Sequence, residues 1–164
     1  MLTNNFVSVL RSGFLNKSIN TIKSDGTEAY IPAVGMERIG NALDSWKKTQ
    51  DDEKISMNDY AIKMLLGTSD IKEQSTDYKL NIITDYTVLQ QSHAFVKDGG
   101  KIISNVLDCT RIIRNDSSEP ITIKEIGLFV TTNPECILLA REVIEPVTLQ
   151  PGEKHSFTMD ICVE

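Results

Sequence analysis

Aromatic residues are scarce in this chain, at 6%: one Trp, four Tyr and five Phe. A sugar-stacking platform or an aromatic-lined cleft draws on that supply. Here the rings are dispersed, and most lie inside apolar periodic runs that want them in a core. Trp46, Tyr60, Tyr78 and Tyr86 are not brought together by sequence. Histidine is scarcer still. His93 and His155 stand alone, no H-x-x-x-H spacing exists and no C-x-x-C pair occurs, so neither a structural nor a catalytic zinc site has a sequence basis. His93, between Ser92 and Ala94 in a strand-like run, reads as a hydrogen-bonded structural side chain. The three cysteines, Cys109, Cys136 and Cys162, are odd in number, widely spaced and set in apolar runs. They read as small buried hydrophobes.

Basic residues are also in deficit, with 17 Lys and Arg against 23 Asp and Glu, a formal net charge of −6. A protein that binds by covering phosphates needs a basic surplus on one face, so nucleic acid is not expected as the main partner. No apolar run approaches the roughly 20 residues of a membrane helix, and the opening residues lack the pattern of a signal peptide. No membrane partner is expected, and the reading is of a soluble chain made in cytoplasm. Nucleophile elbows, P-loops and dinucleotide-binding glycine motifs are missing, and Gly99-Gly100 sits where a hairpin needs a reversal. Carboxylates are plentiful but without the setting of a glycosidase pair. No catalytic residue, metal site or cofactor is expected.

What remains is a pattern of strands. At 164 residues the chain suits a single domain that buries roughly two-thirds of its unfolded surface. Near the start, Phe6, Val7, Leu10 and Phe14 share a stripe that predicts an amphipathic helix over residues 4–12, with Thr3 or Asn4 as its cap and Gly13 near its end. That helix either packs on its own domain or serves as an arm, about residues 1–15, for a neighbouring subunit. Residues 18–31 read as a hairpin turning at Ser24-Asp25-Gly26-Thr27. Met36, Ile39, Leu43 and Trp46 recur at helical spacing and predict a helix over 36–48 within an insertion of about 32–56, weakened by Gly40.

From residue 55 onward strands alternate with turns, at 60–66, 86–96, 101–114, 121–130, 136–144 and 154–163. The fold class expected is mainly β: an antiparallel β-sandwich, jelly-roll-like or Ig-like, with a short N-terminal helix and the possible helical insertion. In 121–130 the apolar residues switch phase, from Ile121 and Ile123 to Ile126, Leu128 and Val130. Strand side chains alternate with a period of two, so the switch requires a bulge near Glu125 and Gly127. With 131–135 as the hairpin loop, Val130 faces Cys136 and Glu125 falls opposite Arg141 unless a bulge shifts the register. The pair reads as structural rather than catalytic, since neither residue has a His or Cys beside it to work with.

Several stretches occur together in an order that resembles small structural proteins of tailed-bacteriophage virions. They are Leu66-Gly67-Thr68, Asp77-Tyr78-Lys79-Leu80, Ile123-Lys124-Glu125-Ile126-Gly127-Leu128-Phe129, Leu138-Leu139-Ala140-Arg141, Pro146-Val147-Thr148 and Pro151-Gly152-Glu153. The likeness runs from about residue 57 onward, with a similar opening at Met1-Leu2-Thr3-Asn4-Asn5-Phe6. It implies a β-sandwich component of head, collar, tail or fibre-attachment site, without enzymatic activity, whose partners are copies of itself and other virion structural proteins. Residues 32–56 depart from the pattern. The candidate subunit-contact residues are Phe6, Leu10, Phe14, Met36, Ile39, Leu43 and Trp46. Copies related by cyclic symmetry would bury two different patches, together about 1,500 Å² or more. The alternatives are a capsid decoration protein, a carbohydrate- or receptor-binding module of a tail fibre, and an intracellular enzyme.

Overall fold

The computed structural model describes residues 1–15, 18–31, 61–98, 101–132 and 135–162. The expected helix over 36–48, and with it Met36, Ile39, Leu43 and Trp46, lies outside the described residues, as does the whole 32–56 insertion. The chain is mainly β. One helix, α1 (Asn4–Leu15), is followed by β1 (Ile19–Ile22), β2 (Glu28–Ile31), β3 (Ala61–Gly67), β4 (Tyr86–Asp98), β5 (Lys101–Asn115), β6 (Ile121–Thr132), β7 (Glu135–Leu149) and β8 (Lys154–Cys162). Among the described residues all pairing between strands is antiparallel, in a β1-β2 hairpin and two three-stranded sheets ordered β3-β6-β7 and β4-β5-β8.

Turn chemistry explains where the chain reverses. At Gln150-Pro151-Gly152-Glu153 the Glu153 amide donates to the Gln150 carbonyl at 2.9 Å and Gly152 sits at φ 82°. This is a type II turn, with proline where φ is fixed near −65° and glycine where φ must be positive. In the first hairpin the Asp25 carboxylate accepts from the Thr27 amide and hydroxyl at 2.9 and 2.6 Å, holding the reversal from its own side chain.

The chain crosses between the two larger sheets from β3 to β4, from β5 to β6 and from β7 to β8. Asn115 ties two of these crossings together. Fully buried, it donates through Nδ2 to the carbonyls of Glu119 and Leu149 at 2.8 and 2.9 Å, while its own carbonyl accepts from the Gly152 amide at 2.7 Å. The apolar faces of both sheets form one core, with Met64 and Leu66 from β3, Cys109 and Ile113 from β5, Ile126 and Leu128 from β6, Ile137 and Leu139 from β7, and Phe157, Met159 and Ile161 from β8. A second, smaller cluster of Leu65, Leu80, Phe129 and Leu138 covers part of the opposite face of the β3-β6-β7 sheet.

The strand boundaries differ from the sequence expectation mainly in β7, which continues past residue 144 to Leu149. Pro146 is tolerated there because it falls between Val143 and Val147, where the ladder to β6 is irregular and needs no donor. The β6–β7 hairpin is also tighter than a 131–135 loop, since Thr132 pairs with Glu135 and Val130 with Ile137 rather than Cys136.

Cys109 is 1% exposed in the shared core. Burial, reinforced by the negative charges of Asp108 and Asp160, pushes its thiol up to about 12, against about 8.5 for a free thiol. Because the folded value lies above the unfolded one, the associated stability is complete below the unfolded value and is lost as pH rises through the interval. In the native chain at about pH 8, alkylation followed by peptide mapping should leave Cys109 unmodified. Urea midpoints should fall from about pH 9 upward, less steeply in Cys109→Ala.

Candidate functional site

The most densely connected polar group of the described residues lies on the outer face of the β3-β6-β7 sheet. Glu125 on β6 is fully buried and Arg141 on β7 is 4% exposed. They meet with Arg141 Nε donating to Glu125 Oε2 at 2.7 Å. The direct cross-strand pairing expected from sequence is not what joins them. Arg141 pairs with Gly127, and Glu125 with Val143. The ion pair is diagonal, reached across the space beside Gly127.

Two ladder irregularities make that diagonal possible. One falls between Ile123 and Glu125, the segment where the apolar phase switches, and the other at Leu128/Phe129, opposite the Leu138–Ala140 segment. Before the first, Ile123 faces the shared core; after it, Ile126 and Leu128 do, and Glu125 is turned to the outer face. At the second, Leu139 and Ala140 both join the shared core although they are consecutive, leaving Leu138 and Arg141 on the outer face. A shift of one residue moves everything beyond it to the other side.

Residues 68–85 fold over this face and supply the remaining partners. Glu125 Oε1 accepts from the amides of Asn81 and Ser69 at 2.8 and 3.1 Å. Arg141 Nη1 donates to Asp77 Oδ2 at 2.8 Å, and Nη2 to the Ile71 carbonyl at 2.8 Å. Asp77 Oδ2 also accepts from the Gln74 amide at 2.8 Å, and Lys124 Nζ holds Asp70 at 2.8 Å. Burial alone would lower the pKa of Arg141; the hydrogen bonds and charges of Glu125 and Asp77 outweigh it and hold the guanidinium above its ordinary value. The result is a buried arginine with two carboxylates and a carboxylate with three donors. Such an arrangement holds a loop to a sheet.

Gly67 is part of the fit. It pairs with Glu125, and a Cβ there would fall within contact distance of Glu125 Oε1 and 2.8 Å from the Asn81 carbonyl oxygen. The same fold-over places Ile82 in a bridge with Gly67 and lets the Ile83 amide donate to the Leu66 carbonyl at 2.9 Å, covering part of the free edge of β3.

On the far side of the sheet, residues 1–3 lie along β7. Leu2 bridges Ala140, the Thr3 amide donates to the Leu139 carbonyl at 2.9 Å, and the Arg141 amide donates to the Met1 carbonyl at 2.9 Å. Thr3 does not cap α1 with its side chain. Its hydroxyl turns to β7 and donates to the carbonyls of Leu138 and Leu139 at 2.7 and 3.1 Å. The helix is tied down instead by Asn5, whose Nδ2 donates to the Ile22 carbonyl at 2.9 Å and whose Oδ1 accepts from the Thr21 hydroxyl at 2.5 Å.

Of the candidate subunit-contact residues, Phe6 is half-buried and packs with Leu2 and Val9 against the chain's own core. Leu10 and Phe14 belong to α1, their side chains outside the described set. Among the described side chains of the helix, Val7 is an exposed apolar residue, at 62%. Sequence reasoning did not assign roles to Asp77, Ser69 or Asn81. The capture of Asp77 depends on how an aperiodic loop folds back, and no local pattern encodes that.

Among the described residues no group of three or more His, Cys, Asp or Glu is placed to hold a metal ion, and no helix is long and apolar enough to cross a membrane. Comparison with protein-family models, curated proteins and solved structures found no match.

Removing Arg141 leaves the Glu125 carboxylate buried without its cation, whereas removing Glu125 leaves Arg141 paired with Asp77 alone. Arg141→Met should lower the unfolding free energy by about 3–5 kcal/mol and Glu125→Met by less, whereas the double variant Glu125→Met/Arg141→Met should lose less than the sum. Urea denaturation of the four proteins measures the cycle. By the same method Gly67→Ala should destabilise the chain, because backbone as well as side chain stands in the way of the added methyl.

Proposed function

We propose that this chain is a non-enzymatic structural component of a tailed-bacteriophage virion, built into the collar, tail or fibre-attachment region in multiple copies. On this reading the two three-stranded sheets around one core are an antiparallel β-sandwich, jelly-roll-like or Ig-like. The chain works by holding on to copies of itself and to other virion proteins.

One observation carries the reading. The separate stretches that resemble virion proteins meet in space: Gly67, Asp77, Leu80, Glu125, Gly127, Leu138 and Arg141 are all drawn into the outer face of one sheet. That cluster fixes a loop to a sheet through buried charge, which suits a part that must keep its shape under load from neighbours. Sheet edges and an apolar residue projecting from α1 supply means of contact.

The test is incorporation. Full-length tagged chain, produced in cells assembling the particle, should sediment with purified virions at more than one copy each; recovery only at the top of the gradient would count against a virion role. Val7→Asp alters an exposed helix position and should change stability by no more than about 0.5 kcal/mol. It should nonetheless reduce incorporation if α1 makes a subunit contact. A stable monomer that binds glycans and is found only on fibres would favour the receptor-binding alternative, and uniform recovery with isolated heads would favour capsid decoration.

A further inference from the structure

The two larger sheets present outer edges on β3, β7, β4 and β8. Residues 1–3 line that of β7, and Ile82 and Ile83 cover part of that of β3. β4 is irregular between Val88 and Gln90 and again between Phe95 and Lys97, and such bulges turn an edge away from further pairing. β8 is different. It contains no proline, and its ladder with β5 runs without a shift of register. Among the described residues its other side pairs with no strand.

Just beyond that ladder the Asn115 amide donates to the Glu153 carbonyl at 2.9 Å. Main-chain groups alternate in direction along an antiparallel strand, so the odd-numbered residues of β8 face β5, and Lys154, Ser156, Thr158 and Asp160 turn their amides and carbonyls to the open side. These four residues are exposed. Charge on this face is segregated, since Asp160 stands directly opposite Asp108, and Lys154 opposite Arg114. Like charges in that position repel. Arg114 has Asp116 as its partner, but Lys154 and Asp160 enter none of the ion pairs of the described residues. Within one chain both ends of the strand are unfavourable; against a copy turned end for end they are complementary.

We propose that β8 pairs antiparallel with β8 of a second copy of this chain about a two-fold axis, joining the two β4-β5-β8 sheets into one continuous sheet. The register is centred on Phe157, so that Ser156 faces Thr158 of the second copy and Lys154 faces Asp160 of the second copy. All of these residues have their main-chain groups on the open side, and each facing pair exchanges two hydrogen bonds. Moving the register by two residues in either direction keeps the ladder but sets Lys154 opposite Thr158 or Cys162, and the charge match is lost. A two-fold contact is self-complementary, so the attraction occurs twice. The inference stands apart from the virion reading, because the contact forms between two free chains and needs no particle.

The experiment follows the mass of the full chain by sedimentation equilibrium from micromolar to millimolar concentration. The wild type should show a concentration-dependent dimer. Lys154→Glu and Asp160→Lys each set like charges together twice across the axis, and each should raise the dimer dissociation constant by about tenfold. Each also puts opposite charges face to face within the chain, across β5 and β8, so neither should lower the thermal midpoint. The charge-swapped variant Lys154→Glu/Asp160→Lys should dimerise like the wild type. Mixing the two single variants should restore association, because one chain then presents two carboxylates to the two ammonium groups of the other. A wild type that stays monomeric at millimolar concentration overturns the proposal, as does a dimer that both single reversals leave unchanged, or a mixture that associates no better than its parts.

Discussion

Arg141 and Glu125 meet because the β6–β7 ladder slips twice, and the arrangement of the outer face follows from those slips. In an unbroken strand, Glu125 would share a face with Ile123, and Arg141 with Leu139, directing both charges into the apolar core. The irregularities turn them outward instead, on to the face that residues 68–85 cover. A charged pair in that position requires a lid with donors and acceptors, and the loop provides the amides of Ser69 and Asn81, the carbonyl of Ile71 and the carboxylate of Asp77. Gly67 leaves room for the Glu125 carboxylate, and Leu80 packs over Gly127 to keep water from the apolar side. Sheet and loop therefore depend on one another through a few charged atoms.

Much of this architecture could be read from residue order. Strands bounded by glycine, proline or asparagine fall where the pattern places them, as at 101–115, 121–132 and 154–162, because such turns act locally. The phase switch at Glu125 was legible for the same reason, as it is a property of one strand. Pairing between strands was less accessible. The hairpin is tighter than its composition suggests, and the second slip in β7 leaves no mark in a run of Leu138, Leu139 and Ala140 that is apolar on both sides. The two errors in register concern the route by which Glu125 and Arg141 come together. Asp77 was beyond reach because its position depends on the whole loop.

The two buried arginines show how differently one side chain can be used within a small domain. At Arg141, desolvation is offset by carboxylates on two sides, and the group becomes a fixed tie between elements. At Arg111, a carbonyl and an amide oxygen take up one nitrogen while the rest of the fork faces no anion. The first arrangement is complete within the chain. The second leaves a buried donor without a partner.

The strip formed by residues 1–3 against β7 joins segments 136 positions apart in the Thr3–Leu139 bond. On a ribosome, residues 1–3 emerge well before the strand they will border, so they stay uncommitted until Leu139, 136 positions on, has been made. Closing so long a loop is entropically slow. Until it happens, the outer margin of β7 is bare backbone, and nascent chains are most prone to pair wrongly with one another in that interval.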